Sequence, residues 1–154
     1  MKKIAIEFKL NGSRRQLEVE PSDTLLEALR ERVGVKSPKC GCDRGDCGTC
    51  TISLNGRTVR SCLVLAVEAD GGEIVTLEGI SKTPSKLQHE FAERNAFQCG
   101  FCAPGIVLSA TELLGKKKRP SREEIQEAIA GNLCRCTGYT PIIEAIEAAA
   151  NGQE

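Results

Sequence analysis

Residues 41–51 read Gly41-Cys42-Asp43-Arg44-Gly45-Asp46-Cys47-Gly48-Thr49-Cys50-Thr51, three cysteines at a C-x4-C-x2-C spacing on one glycine-rich stretch. A fourth, Cys62, follows at a distance. Glycines at 41, 45 and 48 free the backbone to curl, so thiols from one loop can converge on a common centre. Further along, Cys99-Gly100-Phe101-Cys102 and Cys134-Arg135-Cys136 form a second four-cysteine set with a different spacing. These sets use eight of the nine cysteines. The ninth, Cys40, falls outside the C-x4-C register and reads as a non-ligand at the mouth of the loop.

A disulfide framework would require a small secreted chain. Met1 to Leu10 alternates instead of forming the apolar run of a signal peptide, and no stretch approaches the roughly 18 apolar residues of a membrane span. Ser13-Arg14-Arg15-Gln16-Leu17 has the twin arginines of an export signal, but Glu18 and Glu20 stand where its apolar run belongs. Cytoplasmic residence is therefore expected. In a reducing compartment, closely spaced cysteines read as metal ligands. Lys plus Arg total 21 and Asp plus Glu total 21, a balance that argues against nucleic acid or an anionic membrane as partner. Aromatic residues are 3% of the chain with no Trp, so ligation is expected to supply part of the folding energy.

Around the first set, residues 3–10 alternate, Asn11-Gly12 turns the chain, and 16–20 return, predicting a β-hairpin. Thr24-x-x-Glu27 is a capping box opening a helix that Gly34 ends, with Leu25, Leu26, Leu29 and Val33 on one face. Residues 51–54 and 58–62 flank Asn55-Gly56 as a second hairpin, and 73–77 form a last strand. From Pro84 the period lengthens to 3.6. Helices are predicted at about 84–96, 104–114, 121–130 and from 141, with Pro84, Pro104 and Pro141 in first turns and a capping box at Ser121-x-x-Glu124. The fold class is α+β, with a strand-rich unit at 1–80 and a helical unit at 81–154.

The C-x4-C-x2-C…C spacing is that of plant-type ferredoxins, in which four thiolates hold a 2Fe-2S cluster. A four-cysteine zinc site prefers two short knuckles to three ligands on one loop. The second set, taken alone, leaves zinc open, because two knuckles can close a tetrahedral site. Pro104 puts a helix N-terminus just after Cys102, where backbone amides favour thiolate charge. His89, the only histidine, reads as an ordinary helix residue, and Lys116-Lys117-Lys118-Arg119 as a solvated helix end.

The chain 41–51, Ser61-Cys62-Leu63, Gln98-Cys99-Gly100-Phe101-Cys102-Ala103-Pro104-Gly105 and Gly131-Asn132-Leu133-Cys134-Arg135-Cys136-Thr137-Gly138-Tyr139, in this order, closely resemble the small iron-sulfur subunit of the molybdenum hydroxylases, the xanthine oxidase family. The resemblance spans nearly the whole chain. It implies an N-terminal ferredoxin-like β-grasp domain with one 2Fe-2S cluster on Cys42, Cys47, Cys50 and Cys62. A C-terminal four-helix-bundle domain would hold a second on Cys99, Cys102, Cys134 and Cys136. It further implies a relay of electrons between molybdopterin on a large subunit and FAD on a medium subunit, with no catalytic residue here, in a dimer of heterotrimers. The helical-domain cluster would lie nearer molybdenum, with Gln98 and the Arg135 loop facing the pterin; Gly100, Gly105 and Gly138 are expected at turns. Pro38 and Cys40 before the first ligand, Asp46 and Thr49 where Glu and Ala are common, and Ala103 for a frequent Thr depart from the family pattern without removing a ligand. A 4-hydroxybenzoyl-CoA-reductase-type complex, with electrons flowing toward molybdenum, fits the same motifs. A free-standing two-cluster ferredoxin is the alternative of another class, against which the helical half argues, and a zinc-stabilised module would be told apart by lack of colour.

Overall fold

The computed structural model describes residues 2–80 and 85–152. Strands β1 (Ile4–Leu10), β2 (Ser13–Val19), β3 (Thr51–Leu54), β4 (Arg57–Arg60) and β5 (Glu73–Val75) form one sheet in the order β2-β1-β5-β3-β4. All pairs are antiparallel except β1 with β5. Both Asn-Gly turns are as expected: Asn11 and Gly12 have φ of 50° and 83°, Asn55 and Gly56 51° and 79°, the left-handed pair that a two-residue hairpin turn requires.

The helix after Thr24 departs from expectation. Its capping box is present, with the Glu27 amide donating to Thr24 Oγ1 at 3.2 Å and the Thr24 amide to Glu27 Oε2 at 2.9 Å. Only α1 (Leu25–Glu27) is α-helical; Ala28–Val33 widens into π turns that end at Gly34, φ 84°. The wider turns still place Leu25, Ala28 and Leu29 on Ile6, Phe8, Val19, Ile52 and Ile74 of the sheet, giving one fully buried core.

Two strand expectations shorten. Residues 61 and 62 leave β4 for a single 3-10 turn, Ser61–Leu63, and residue 77 leaves β5 for a short helix, α2 (Leu77–Ile80). The expected boundary near 80–83 and Pro84 fall almost wholly on residues 81–84, outside the described residues. Beyond it lie α3 (Lys86–Glu93), α4 (Ala103–Lys116), α5 (Arg122–Ile129) and α6 (Thr140–Asn151). Ile106, Ala110, Ile125, Ile129, Ile142 and Ile146 meet in a second core, with Leu77 and Ile80 leaning on its edge. Helix α4 also packs on β3 and β4, so the two cores share a wall. The fold is mixed α+β, as expected.

Glu78 on α2 ties down the start of the cysteine loop. Its Oε1 accepts the amides of Lys36 and Ser37 at 3.1 and 2.9 Å, and its Oε2 the hydroxyls of Ser37 and Thr76 at 2.5 and 2.6 Å. Burial pushes the carboxyl upward, but the donors from Ser37 and Thr76 outweigh it and hold Glu78 down at about 2. Because the folded value lies below the unfolded one, this stabilisation is complete above the ordinary carboxylate range and is lost as pH falls through that range toward 2. Glu78→Gln is expected to cost about 1–3 kcal/mol at neutral pH and to flatten the acid limb of a stability-against-pH curve. An unaltered acid limb in urea titrations between pH 5 and pH 2 would remove Glu78 from this role.

Candidate metal centres

The first loop runs from Ser37 to Cys50 without a helix or strand, and its shape is set from both ends. The Lys39 amide donates to the Thr49 carbonyl at 2.9 Å, and Thr49 Oγ1 returns to the Lys39 carbonyl at 2.9 Å, closing the loop on itself. Asp43, Gly45 and Gly48 all have positive φ, 56°, 86° and 72°. Within this curl the Cys47 amide donates to Cys42 Sγ at 3.3 Å, and Cys47 Sγ lies 3.2 Å from Thr49 Oγ1. Cys62 arrives from the 3-10 turn, and Ser61 registers it: its amide and hydroxyl donate to the Cys50 carbonyl at 3.3 and 2.7 Å. Cys50 Sγ and Cys62 Sγ are then 3.4 Å apart.

The second set gathers across the helical half. Cys102 is the N-cap residue of α4, at the positive end of a 14-residue helix. Cys136 Sγ lies 3.6 Å from Cys99 Sγ, and Cys134 Sγ lies 3.2 Å from Thr137 Oγ1 and in contact with the Cys102 thiol. Tyr139 braces this loop: the Cys134 amide donates to its Oη at 2.8 Å, and that hydroxyl donates to the Asn132 carbonyl at 3.1 Å. Gln98 spans the two arms, its Nε2 donating to the Cys136 carbonyl at 3.1 Å. Gln98, Cys99, Arg135 and Cys136 are exposed together, so the second set has an open edge.

Thus the structure sets the cysteines that the sequence singles out in pairs, Cys42 with Cys47 and Cys50 with Cys62 in the first set, Cys99 with Cys136 and Cys102 with Cys134 in the second. The sulfur separations of 3.4 and 3.6 Å exceed the roughly 2.05 Å of a disulfide. Among the described residues, no three His, Cys, Asp or Glu side chains converge closely enough for one mononuclear ion. Two pairs side by side suit a binuclear centre, in which each of two irons takes two protein ligands. The thiols differ in their readiness to ionise. Amides of Arg44 and Cys47 lower Cys42 to about 7, while burial and the neighbouring Cys50 push Cys62 up to about 12. Burial and Cys134 likewise push Cys102 up to about 12. A cation bound at Cys62 and Cys102 would displace the protons that burial holds there.

Cys40 is exposed and forms no disulfide; slight desolvation by its neighbours, then the charge of Asp43, raises its thiol. Cys40→Ser is expected to leave the iron content of the purified chain unchanged, at about four per chain; loss of iron on metal analysis would make it a ligand.

Several residues at the site escape the cysteine motifs. Lys39 donates through Nζ to the Ser37 and Phe101 carbonyls at 3.1 and 3.3 Å and sits 5.3 Å from the Phe101 ring centroid, bridging the first loop to the second set. Burial, then Arg30, lowers its pKa. Arg60 Nη2 donates to the Gly131 carbonyl at 2.6 Å, and the Leu133 amide to the Cys47 carbonyl at 2.9 Å. Gly105, expected at a turn, lies inside α4; a Cβ there would stand 2.5 Å from the Gly48 carbonyl oxygen. The glycine is needed for close approach of two backbones. Gly100 and Gly138 do sit at turns, with φ of 77° and 65°.

Comparison with known proteins follows the same division. Residues 8–76 match the family model of a 2Fe-2S iron-sulfur cluster binding domain, and residues 76–147 that of a 2Fe-2S binding domain. The nicotinate dehydrogenase small FeS subunit of Eubacterium barkeri is 48% identical over 97% of this chain and 96% of its own length. The xanthine dehydrogenase iron-sulfur-binding subunit of Escherichia coli O157:H7 is 45% identical over 93% and 92%. A chain of quinoline 2-oxidoreductase from Pseudomonas putida 86 superposes over the full length of both chains with a TM-score of 0.92 at 44% identity.

Proposed function

Because this chain belongs to the family of small iron-sulfur subunits of the molybdenum hydroxylases, we propose that it carries electrons within a heteromeric oxidoreductase, between molybdopterin on a large subunit and FAD on a medium one. It is an oxidoreductase subunit without a catalytic site of its own. Cys42, Cys47, Cys50 and Cys62 would hold one 2Fe-2S cluster, and Cys99, Cys102, Cys134 and Cys136 a second. The carrying observation is the pairing, two thiols on each side of each centre. Soft thiolates suit iron-sulfur clusters, and the amides around Cys42 and the α4 N-terminus at Cys102 offset thiolate charge.

Each bound cluster supplies a one-electron carrier at a potential set by hydrogen bonds to sulfur and by solvent exposure. The chain's own residues set both. The Cys47 amide and the Thr49 and Thr137 hydroxyls reach ligand sulfurs, and burial of Cys50, Cys62 and Cys102 keeps water from one side of each site. The open edge of the second set, with Gln98 and Arg135 beside Cys99 and Cys136, is the side we assign to the pterin; the first set faces the flavin. We divide the chain at 80/81 into a ferredoxin-like β-grasp domain and a four-helix-bundle domain, α2 leaning Leu77 and Ile80 on the latter. No helix among the described residues is long and apolar enough to cross a membrane; we place the complex in the cytoplasm as a dimer of heterotrimers.

Metal and cofactor analysis of the complex captured through a tag on this chain tests the reading. About four irons per chain, with molybdenum and FAD on co-purifying subunits, is the expected result. Zinc in place of iron would overturn the cluster assignment, and iron without molybdenum or flavin partners would make the chain a free-standing carrier.

A further inference from the structure

The two cysteine sets are joined through a buried polar hub outside both ligand sets. Asn132 is 1% exposed. Its Oδ1 accepts the Ser109 hydroxyl at 2.8 Å, and its Nδ2 donates to the Gly48 carbonyl at 3.0 Å and to Thr51 Oγ1 at 3.1 Å. Gly48 and Thr51 belong to the first loop and the strand that leaves it. Ser109 lies on α4, which Cys102 opens. A primary amide of this length supplies one acceptor and two donors; a carboxylate would turn an unpaired oxygen toward the Gly48 carbonyl, and an alkyl side chain would leave Ser109 and Thr51 short of partners. Thr51 Oγ1 is itself fully engaged, donating to the Gly48 carbonyl at 2.6 Å and accepting Arg60 Nη1 at 2.8 Å. Arg60 clamps the same segment through the Gly131 carbonyl.

Directly beside this hub, the Leu133 amide meets the Cys47 carbonyl at 2.9 Å. Leu133 is bonded to Cys134. A ligand residue of the first set is therefore joined to one of the second by a short covalent path broken by a single hydrogen bond. We propose that Asn132 is a positioning residue for one-electron transfer between the two sites, holding the Cys47 carbonyl against the Leu133 amide. The inference rests on the two-cluster reading above. In the step it serves, one site loses an electron and the other gains it; no bond is made or broken and no proton is needed. The side-chain hydrogen bonds of Asn132 go to Ser109, Gly48 and Thr51 and not to a ligand sulfur. It acts by fixing Gly48, the residue after Cys47, relative to its own neighbour Leu133.

The test uses the full chain loaded with both clusters and fully reduced with dithionite, when both sites are paramagnetic and their mutual interaction splits each EPR signal. Asn132→Asp keeps the shape and reverses the two donors; Ser109→Ala removes only the hydrogen bond that orients the amide. Both variants are expected to keep about four irons and the separate signature of each cluster, but to lose splitting, Asn132→Asp more than Ser109→Ala. Full iron with undiminished splitting in both variants would overturn the proposal. Should Asn132→Asp fail to load, Ser109→Ala decides alone, undiminished splitting again overturning it. Fewer than two cluster signals in the unaltered chain would instead bring down the two-cluster reading, and the positioning role with it.

Discussion

Replacing Cys50 with serine is expected to halve the iron of this chain, from about four per copy to about two, the content of a single 2Fe-2S cluster. Cys50 is 2% exposed and lies 3.4 Å from Cys62, so no water or neighbouring side chain can take its place without opening the core around Leu26. A hydroxyl at this position is a harder and far less acidic donor than the thiol. The second site should survive, because Cys99, Cys102, Cys134 and Cys136 hang from α4 and the loop before α6, which have their own core. One component of the EPR spectrum of the reduced chain is therefore expected to vanish while the other stays. Retention of both components with full iron would refute the assignment of Cys50, and loss of both would show that the sites load only together.

The second large effect is expected at Gly48. Its φ is +72°, and a Cβ there would stand 2.2 Å from the Gly131 carbonyl oxygen and 2.7 Å from Asn132 Nδ2. Neither neighbour is the loose end of a flexible chain; Gly131 is held by Arg60 and Asn132 by Ser109. Gly48→Ala must therefore strain a left-handed backbone and force the two halves apart, together about 2–5 kcal/mol of lost stability. Chemical unfolding followed by far-ultraviolet circular dichroism should show the shift. Gly12→Ala is the control: it too is left-handed, with φ +83°, but a Cβ there meets nothing within 4 Å. Equal losses at the two positions would mean that conformational strain alone is at work and that the close approach of the halves contributes nothing.

What could be read in advance divides along a physical line. The hairpins at Asn11-Gly12 and Asn55-Gly56, the capping boxes at Thr24 and Ser121, and both cysteine sets were legible because each is a local pattern of turn chemistry, periodicity or ligand spacing. The 3-10 turn that delivers Cys62 was hidden, since its direction depends on Ser61 bonding back to the Cys50 carbonyl. The π turns after α1 were likewise invisible, as the apolar spacing of Leu25, Leu26 and Leu29 suits either helix. Glu78 and Asn132 reveal least in sequence. Their partners lie 41 and 84 residues away at Ser37 and Gly48, and a polar residue waiting for a distant carbonyl looks like any other in its motif. Gly105 was misread for the same reason, because the backbone it must clear comes from the other half of the chain.

Tyr139, the brace of the second cysteine loop, is also the only tyrosine in a chain without tryptophan. Its hydroxyl lies between the Cys134 amide and the Asn132 carbonyl, so emission excited in the tyrosine band, beyond the absorption of the four phenylalanines, comes from this one ring. The chain thus carries a built-in fluorophore at the seam of its two halves: filling of the cysteine sets is expected to quench that ring, with no label attached, so that loading can be followed by light alone.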